Sequence, residues 1–562
     1  MAPTTVVPVW QALYDEGLPI GIEFEYSSAL EMFLSSVARS PDSPLIHYLD
    51  STLTVSDVDR LSGALAVALE KSGIVRGDRI AMYLQNVPQY VIAMIATWKL
   101  GAIMVSINPM YKEQEVRHIL NDSGAKGLVC LETLYRDVVA KVREESGLVV
   151  VVTTSELEFV ASPEDFSVLS GVKRERVLGT LDLMDLIREH FGQNPPPVIG
   201  VGPDDIAFIT YTSGTTGPAK GAMNTHGNVI FTAQSYRDWI QLTSKDTIFG
   251  VAPLFHITGL VGHMALALLV PMPLVLAYRF DTALAIQQIE KWQATFTIGA
   301  ITVFTALMNE PTAKDHDISC LTKVYTGGQS VAPATVAAFE SQFGAYIHIA
   351  YGLTETTSPS HFVPLHRRSP VDEATGALAV GVPIFDTLSA IVDEEGKLLP
   401  PGEVGEIIIK GPQVVPGYWQ KPEETKNAFP DGWLHTGDVG LMDQDGWFYV
   451  VDRKKDLINA SGYKIWPREV EDVLYHHPAV REAAVIGVPD EYRGENVKGF
   501  VSLKAGMSAD PEELKAFCRE RIAVYKCPRQ IEILDELPKT ASGKILRREL
   551  RAAEAELRSG TE

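Results

Sequence analysis

Residues 205–226 read DIAFITYTSGTTGPAKGAMNTH, an apolar run followed by a segment rich in Gly, Ser and Thr. The apolar run predicts a β-strand. Apolar residues at helical spacing then predict a helix that begins near Thr225 and buries Val229, Ala233, Tyr236 and Ile240. Between strand and helix, glycines let backbone N–H groups approach an anion closely, and hydroxyls and Lys220 add donors and charge. The order strand, glycine-rich loop, helix therefore predicts a phosphate-binding loop.

The position of the lysine separates this loop from the Walker A loop of many ATPases. The Walker pattern ends in Gly-Lys-Ser/Thr, whereas Ala219 precedes Lys220 and Gly221 follows it. No hydroxyl stands where the Walker pattern binds Mg²⁺, which disfavours an ordinary Walker-type ATPase. Taken alone, the segment leaves a hydroxyl-rich connecting loop as the alternative.

Composition narrows the function classes. The chain has 562 residues, which predicts several structural units because domains usually contain about 100–200 residues. Its 49 Lys and Arg against 71 Asp and Glu make it acidic, which disfavours nucleic acid as a partner. The N-terminus lacks a basic region followed by an apolar run, so no signal peptide is predicted. The spacing of the four cysteines is typical of neither metal ligands nor a redox pair. We therefore expect all four to be thiols in the reducing cytoplasm: Cys130, Cys320, Cys518 and Cys527.

Residues 247–278 contain no Asp, Glu, Lys or Arg, which raises the question of a membrane span. A spanning helix needs about 20 unbroken apolar residues. Five residues interrupt this segment: Pro253, Gly259, Gly262, Pro271 and Pro273. We therefore expect a strand, a loop, a short buried helix and a second strand, and we leave peripheral membrane contact open.

The pattern of elements predicts an α/β protein. Up to about residue 380, apolar strands alternate with amphipathic helices, which indicates two helix-covered, mostly parallel sheets. Residues 194–205 read as a linker between them. From about residue 381, strands and tight turns indicate a small antiparallel β-barrel or sheet. We expect a large domain over 1–452, a hinge over 453–456 and a small mobile α+β domain over 457–562.

Four further motifs lie far along the chain: YGLTETT (351–357), GWLHTGD (432–438), DRKKDLINASGYKIWP (452–467) and LPKTASGKILRREL (537–550). Together with YTSGTTGPAKG (211–221), they resemble the acyl-adenylate-forming superfamily in order and spacing, over nearly the whole chain. The superfamily includes acyl-CoA synthetases, adenylation domains of peptide synthetases and beetle luciferases. The segment GPQVVPGYWQKPEET (411–425) is most similar to fatty acyl-CoA synthetases and their aryl-CoA ligase relatives.

The resemblance implies a two-step reaction. A carboxylate attacks the α-phosphate of ATP and pyrophosphate leaves; a thiol, that of CoA, then displaces AMP to give a thioester. Because two anions meet in the first step, the site must supply positive charge and donors, and the family uses Mg²⁺ with ATP. The expected partners are these small molecules, and the expected oligomeric state is a monomer or a homodimer.

The resemblance also assigns roles to individual residues. The residues that would bind the β- and γ-phosphates are Thr212, Ser213, Gly214, Thr215, Thr216, Gly217 and Lys220. Thr354 contacts phosphate and Glu355 holds Mg²⁺, which prefers carboxylate and phosphate oxygens. The AMP pocket is formed by Gly328, Gln329, Tyr351 and Gly352, with Asp438 on the ribose hydroxyls and Arg453 on ribose or phosphate.

The remaining roles concern the second domain and the acid. Lys544 stabilises the adenylation transition state, and Lys455 is the hinge about which the small domain rotates between the two steps. After rotation, Gly462 borders the pantetheine tunnel, where the missing side chain permits close approach. His256 lies near the acyl pocket. Taken singly, several of these residues have ordinary interpretations: Lys544 as an exposed lysine, Asp438 as a turn residue, and His256 as a core histidine.

One departure from the family pattern concerns a proline. The family's loop commonly reads Gly-x-Pro-Lys-Gly, whereas residues 217–221 read Gly-Pro-Ala-Lys-Gly. Because proline fixes φ, we expect the path of the chain before Lys220 to differ.

The segments expected to line the acyl pocket are apolar and place no basic residue to hold a second carboxylate: residues 247–278, 300–309, 325–330 and those after Glu355. They favour an apolar monocarboxylic acid, a medium- or long-chain fatty acid first and an aryl acid second. A fatty acyl-AMP ligase that loads a carrier protein is disfavoured because no extra segment follows the hinge. A luciferase-like oxygenase shares the motifs. A non-catalytic lipid-binding or scaffold protein is disfavoured because Lys220, Glu355, Asp438 and Lys544 are all present.

Overall fold

Three β-sheets organise the chain in the computed structural model, which describes residues 8–212, 219–329, 331–453, 456–460, 463–490, 493–540 and 543–559. Within these residues the first sheet has seven strands, in the spatial order Leu181–Asp182, Val150–Thr154, Gly127–Leu131, Arg79–Tyr83, Ile103–Ser106, Ile206–Tyr211 and Gly221–Thr225. All neighbours are parallel except the last pair. The central strands are buried along their length, as parallel strands covered on both faces must be.

The second sheet joins parallel and antiparallel parts. In the described chain it has thirteen strands, in the order Leu388–Val392, Gly405–Lys410, Leu434–Met442, Phe448–Arg453, Ala379–Pro383, His361–Phe362, Ile347–Tyr351, Lys323–Gly327, Phe296–Gly299, Ile248–Phe249, Leu274–Leu276, Pro44–Tyr48 and Ser51–Thr54. The strands from Leu388 to Arg453 are the antiparallel unit expected as a barrel or sheet. Ala379–Pro383 and His361–Phe362 connect this unit to the parallel strands, so it extends the second sheet.

The third sheet belongs to the C-terminal part. Its described strands run in the order Tyr463–Ile465, Ile458–Ala460, Gly494–Leu503 and Val480–Asp490, and Gln530–Ile533 also pairs with Gly494–Leu503. Helices Pro467–Tyr475, Pro511–Arg519 and Arg547–Ser559 accompany them. Pro467 occupies the first helical turn, and Asp510 forms a capping box with Glu513.

The other α-helices of seven or more described residues belong to the N-terminal part: Ala29–Arg39, Val55–Lys71, Pro88–Lys99, Glu113–Ser123, Leu183–His190, His226–Trp239, Thr282–Trp292, Ile301–Asn309, Pro333–Phe343 and Pro422–Ala428. The uncharged segment forms strand Ile248–Phe249, helical turns from Ile257 to Leu269 and strand Leu274–Leu276, in the predicted order. Among the described residues, no helix has both the length and the apolar character needed to cross a membrane.

The helix that follows the phosphate loop lies between the first two sheets. At its start, the His226 ring is 5.8 Å from that of Trp98, which also contacts Phe208 of the first sheet. At its end, Trp239 stacks on Phe362 of the second sheet. This packing ties the start of the helix to the first sheet and its end to the second.

The order strand, loop, helix predicted around the phosphate loop is wrong in one respect. Gly221–Thr225 forms a strand antiparallel to Ile206–Tyr211 before the helix begins. Glycine at 221 permits this pairing, because a Cβ there would lie 2.5 Å from Ile209 Cγ2. The helix start is as expected: Thr225 is the N-cap and forms a capping box with Asn228. The four residues expected on its core face are all fully buried: Val229, Ala233, Tyr236 and Ile240.

Burial keeps five histidines neutral. Desolvation lowers the pKa of His47, His226, His256 and His263 to about 4 and that of His361 to about 3. His263 shows how the neutral ring is held: its Nε2 accepts from the Ala252 N–H at 3.1 Å, and its Nδ1–H donates to the Gly262 carbonyl. Folding therefore opposes protonation at these positions.

We expect the stability of the protein to fall with acidification between the ordinary histidine pKa of 6.5 and the folded pKa of about 4 of His263. In that range the unfolded chain binds protons that the folded chain does not, so lowering the pH favours unfolding. His263→Gln keeps a donor and an acceptor but does not titrate, so its thermal midpoint should depend less steeply on pH. The exposed His366→Gln serves as control. Equal slopes for His263→Gln and the wild type would contradict the prediction.

Candidate active site

The predicted AMP-pocket residues meet at one edge of the second sheet. Strands Lys323–Gly327 and Ile347–Tyr351 are parallel neighbours, with Gly327 opposite Ala350. The residues that follow them, Gly328 and Gln329 on one side and Gly352 on the other, therefore lie at adjacent carboxyl ends. Ligands of open α/β sheets bind at this edge. Gly328 has a φ of +85°, which glycine adopts without strain.

Tyr351 and Asp438, predicted separately for adenine and ribose, contact each other. The Tyr351 hydroxyl donates to Asp438 Oδ2 at 2.8 Å, and both residues are buried. Asp438 lies on strand Leu434–Met442, where it pairs with the backbone of Arg453. The buried hydrogen bond fixes the direction of the carboxylate. A carboxylate that accepts hydrogen bonds from the hydroxyls of a bound ribose requires such a fixed direction.

Both ends of the phosphate loop are held by the rest of the fold. The Thr212 N–H donates to the Lys220 carbonyl at 2.9 Å, which closes the hairpin. The His118 Nε2–H donates to the Ala219 carbonyl at 3.0 Å. Sequence analysis missed His118, since 101 positions separate it from Ala219 and nothing in the pattern connects them. This bond anchors the peptide next to the displaced proline.

Several predicted residues lie outside the described part of the chain: Ser213, Gly214, Thr215, Thr216 and Gly217 of the loop, the hinge residue Lys455, and Gly462. Of Arg453, the backbone is described. Their assigned roles stay predictions.

Glu355 and Lys220 are brought together by Tyr418. Glu355 lies in the short 3₁₀ turn Thr354–Thr356, where its Oε1 accepts from the Tyr418 hydroxyl at 2.7 Å. The Lys220 Nζ lies 5.1 Å from the centroid of the same ring. Burial and the Glu355 charge raise the pKa of Tyr418 far above its ordinary value, so its hydroxyl stays a donor. Tyr418 lies in segment 411–425, and no motif predicts a role for it.

The arrangement around Glu355 fits Mg²⁺. This ion takes oxygen ligands from one or two carboxylates together with phosphate oxygens. With Oε1 held by Tyr418, the second oxygen of Glu355 has a defined direction. The neighbouring Thr354 is fixed through its carbonyl, which accepts from the Asn224 side chain at 3.2 Å. When bound with ATP, Mg²⁺ would offset negative charge on the phosphates.

His256 presents a neutral N–H donor near Lys544. Its Nδ1 accepts from the Thr258 N–H at 3.3 Å, so the proton of the neutral ring is on Nε2. Burial, and secondarily the positive charge of Lys544, lower the pKa of His256 to about 4. The charge of Lys544, which the sequence assigned to the reacting phosphate, therefore acts on the residue that the sequence assigned to the acyl pocket.

Lys544 reaches the large domain on a tight turn. Its N–H donates to Thr540 Oγ1 at 3.0 Å, and its carbonyl accepts from the Thr540 N–H at 2.7 Å. The preceding Gly543 has a φ of +80°, and a Cβ there would lie 2.3 Å from Thr302 Oγ1 on helix Ile301–Asn309. The turn is therefore packed against the large domain at a distance that only glycine allows.

A buried ion-pair network surrounds the expected hinge. Arg547, three residues beyond Lys544, contacts Glu471 at 2.7 Å, Asp456 at 3.3 Å and Asp452 at 3.5 Å. Asp452 precedes the predicted hinge over 453–456 and Asp456 is its last residue, so one guanidinium joins both ends of the hinge to the helix that contains Arg547. Arg551 adds a second contact to Asp456 at 2.8 Å. Sequence analysis gave Arg547 no role.

Comparison with known proteins identifies the family. Residues 33–419 match the AMP-binding enzyme family, and residues 469–544 match the AMP-binding enzyme C-terminal domain. The chain belongs to the AMP-binding enzyme family.

Relatives of this AMP-binding enzyme share almost its full length. A long-chain-fatty-acid–CoA ligase of Bacillus subtilis (strain 168) is 36% identical over 557 residues, covering 97% of this chain and 98% of the relative. A feruloyl-CoA synthase of an Amycolatopsis species is 36% identical over 516 residues, covering 91% and 96%. A solved anthranilate CoA ligase, in complex with anthranoyl-AMP, aligns with a TM-score of 0.85 at 26% identity, covering 96% of this chain and 99% of the other.

These similarities confirm the acyl-adenylate-forming superfamily, the α/β fold with a small C-terminal domain, and the class of acid–CoA ligases. ATP and CoA are the substrates that this family's reaction implies.

We expect Gly543→Ala to slow adenylation by about ten-fold or more. A left-handed φ costs a non-glycine residue roughly 1–2 kcal/mol, and the new methyl group meets Thr302. The rate is measured by ATP–pyrophosphate exchange. Adding Thr302→Ala removes the hydroxyl in the way and should restore part of the loss. Exchange at the wild-type rate in Gly543→Ala would show that the turn does not approach Thr302 during this step.

Proposed function

We propose that this enzyme activates an apolar monocarboxylic acid with ATP and transfers the acyl group to CoA, and that its preferred acids are medium- or long-chain fatty acids. The observation that carries the proposal is the packing of the Lys544 turn against the large domain: a Cβ at Gly543 would lie 2.3 Å from Thr302 Oγ1, on a helix within the segments expected to line the acyl pocket, and the Lys544 charge acts on His256. A cation at that point stands where an apolar acid would present its carboxylate to the α-phosphate.

In the first step, the residues act by lowering the repulsion between two anions. Lys544 neutralises charge as the carboxylate oxygen bonds to the α-phosphorus and the bond to the pyrophosphate oxygen breaks. Lys220 and the phosphate loop hold the leaving pyrophosphate, and Asp438 holds the ribose. The His256 Nε2–H donates a hydrogen bond without carrying charge, because its pKa of about 4 keeps it neutral. Fixed donors of this kind are the main source of rate in such sites.

In the second step, Lys544 must withdraw so that the thiol can reach the acyl-adenylate. The large domain over 1–452 and the small domain over 457–562 would rotate about 453–456, with Lys455 as the hinge and Gly462 at the CoA channel. The Arg547 contacts to Asp452 and Asp456 lie at that pivot. Domain closure of this type often limits turnover.

The apolar acid is favoured by the absence of charge in residues 247–278. Residues 247–278 carry no Asp, Glu, Lys or Arg, and both of their histidines, His256 and His263, have a pKa of about 4. The segment is therefore uncharged at neutral pH.

An aryl acid is the second candidate. The feruloyl-CoA synthase is as similar to this chain, at 36% identity, as the long-chain-fatty-acid–CoA ligase. The anthranilate CoA ligase shares the fold over 96% of this chain. Apolar walls separate neighbouring homologues by only about 1–3 kcal/mol per methylene, so a range of acids is expected in either case.

Product analysis separates these candidates. The enzyme is incubated with ATP and Mg²⁺ and with fatty acids of increasing length or with ferulic, benzoic and anthranilic acids, with and without CoA. Mass spectrometry should show AMP together with fatty acyl-CoA. Aryl-CoA alone would establish the second candidate, and acyl-adenylate that accumulates despite CoA would show a carrier-loading ligase instead.

We expect Lys544→Ala to reduce adenylation by about 100-fold or more, since removal of one preorganised charge-stabilising group typically costs this much. Formation of acyl-CoA from supplied acyl-adenylate should remain. Lys539→Ala is the matched control, because this lysine is on the same segment but pairs with Glu482 at 2.8 Å. An equal loss in both half-reactions would refute the two-position mechanism.

A further inference from the structure

We propose that Tyr418 is a positioning residue that sets the Glu355 carboxylate relative to Lys220 before ATP binds. The inference rests on the proposed function, because it concerns the site that would hold the metal-bound phosphates. One side chain makes both contacts: its hydroxyl holds Glu355 Oε1 at 2.7 Å, and its ring faces the Lys220 Nζ at 5.1 Å.

Backbone hydrogen bonds hold Tyr418 beside strand Gly221–Thr225, which follows the phosphate loop. The Trp419 N–H donates to the Gly221 carbonyl at 2.8 Å, and the Met223 N–H donates to the Gly417 carbonyl at 3.0 Å. These bonds bracket Tyr418 and place it opposite Ala222. The C-terminal end of the loop and the tyrosine therefore move as one unit.

The other side of Tyr418 is equally fixed. Its N–H donates to Thr425 Oγ1 at 2.9 Å, and its ring packs beside Phe429 at 5.9 Å between centroids. The Val415 N–H donates to the Glu355 carbonyl at 2.9 Å, so the same segment also holds the backbone of the carboxylate residue. Tyr418 is only 9% exposed. A rigid, buried donor of this kind defines the direction of a carboxylate that takes part in metal binding.

The hydroxyl and the ring have separable roles. The hydroxyl orients Glu355, which matters only when a metal ion is present. The ring face attracts the Lys220 ammonium by a cation–π interaction, which matters with or without metal. Tyr418→Phe removes the first contact and keeps the second, whereas Tyr418→Leu removes both.

The experiment measures binding of an ATP analogue that has a methylene group between the α- and β-phosphorus atoms and therefore cannot release pyrophosphate. Calorimetry gives its Kd with excess MgCl₂ and with EDTA for each variant. For Tyr418→Phe we expect a Kd raised about ten-fold or more in Mg²⁺, the usual effect of losing a group that orients a metal ligand. In EDTA its Kd should stay within about two-fold of the wild type, because the ring face remains. For Tyr418→Leu we expect a further rise of about two- to five-fold in both conditions.

Two controls separate positioning from general damage. Tyr449→Phe removes a similar buried hydroxyl that donates to a carboxylate, Asp443 at 2.9 Å, within the antiparallel strands of the same sheet. It should bind the analogue as the wild type does. Formation of acyl-CoA from supplied acyl-adenylate involves neither pyrophosphate nor its metal, so it should remain in both Tyr418 variants.

The inference is overturned if Tyr418→Phe binds the analogue in Mg²⁺ as tightly as the wild type, or if its loss is the same in EDTA. It is also overturned if the reaction of supplied acyl-adenylate falls in parallel, which would indicate a structural role only. Failure of the proposed function has a different signature: the wild type would then form no AMP from any acid, while the binding measurements would still report on Tyr418.

Discussion

Parallel pairing of Lys323–Gly327 with Ile347–Tyr351 is the constraint on which the site depends, because it makes the two strands end at the same edge. Every segment that follows such a strand begins at that edge, and Glu355 is only four residues beyond Tyr351 in the chain. The antiparallel strands continue the same sheet and bring Asp438 to Tyr351. The candidate site is thus formed by residues from distant segments of the chain, which strand pairing brings to one edge of the sheet.

The groups proposed to hold ATP and the lysine proposed to act on it are mounted differently. Asp438 lies on a strand of the large domain, and Lys220, Glu355 and Tyr418 lie in segments that adjoin its strands. Lys544 lies on a turn of the small domain, and the helix that follows it is tied through Arg547 to carboxylates at both ends of the expected hinge. A rigid binding site can therefore serve two reactions if only the lysine changes place.

The sequence predicted the features that are local or that recur as motifs. Thr225 marked the start of the helix, and the motifs singled out Tyr351 and Asp438, which the structure brings into contact. Strand Gly221–Thr225 was missed because its pairing with Ile206–Tyr211 depends on a hairpin and not on its own periodicity. His118 and Tyr418 were missed for a related reason: a histidine and a tyrosine are common, and their partners lie 101 and 63 positions away.

The uncharged character of residues 247–278 has a consequence beyond accommodating an apolar tail. Coulomb energies scale inversely with the local dielectric constant, which is far lower among packed apolar groups than in water. With His256 and His263 neutral, this segment adds no ionised side chain to the surroundings of Lys544. In the proposed role of Lys544, its ammonium group would act on an anion beside this segment, where a charge is screened less than it is on the surface.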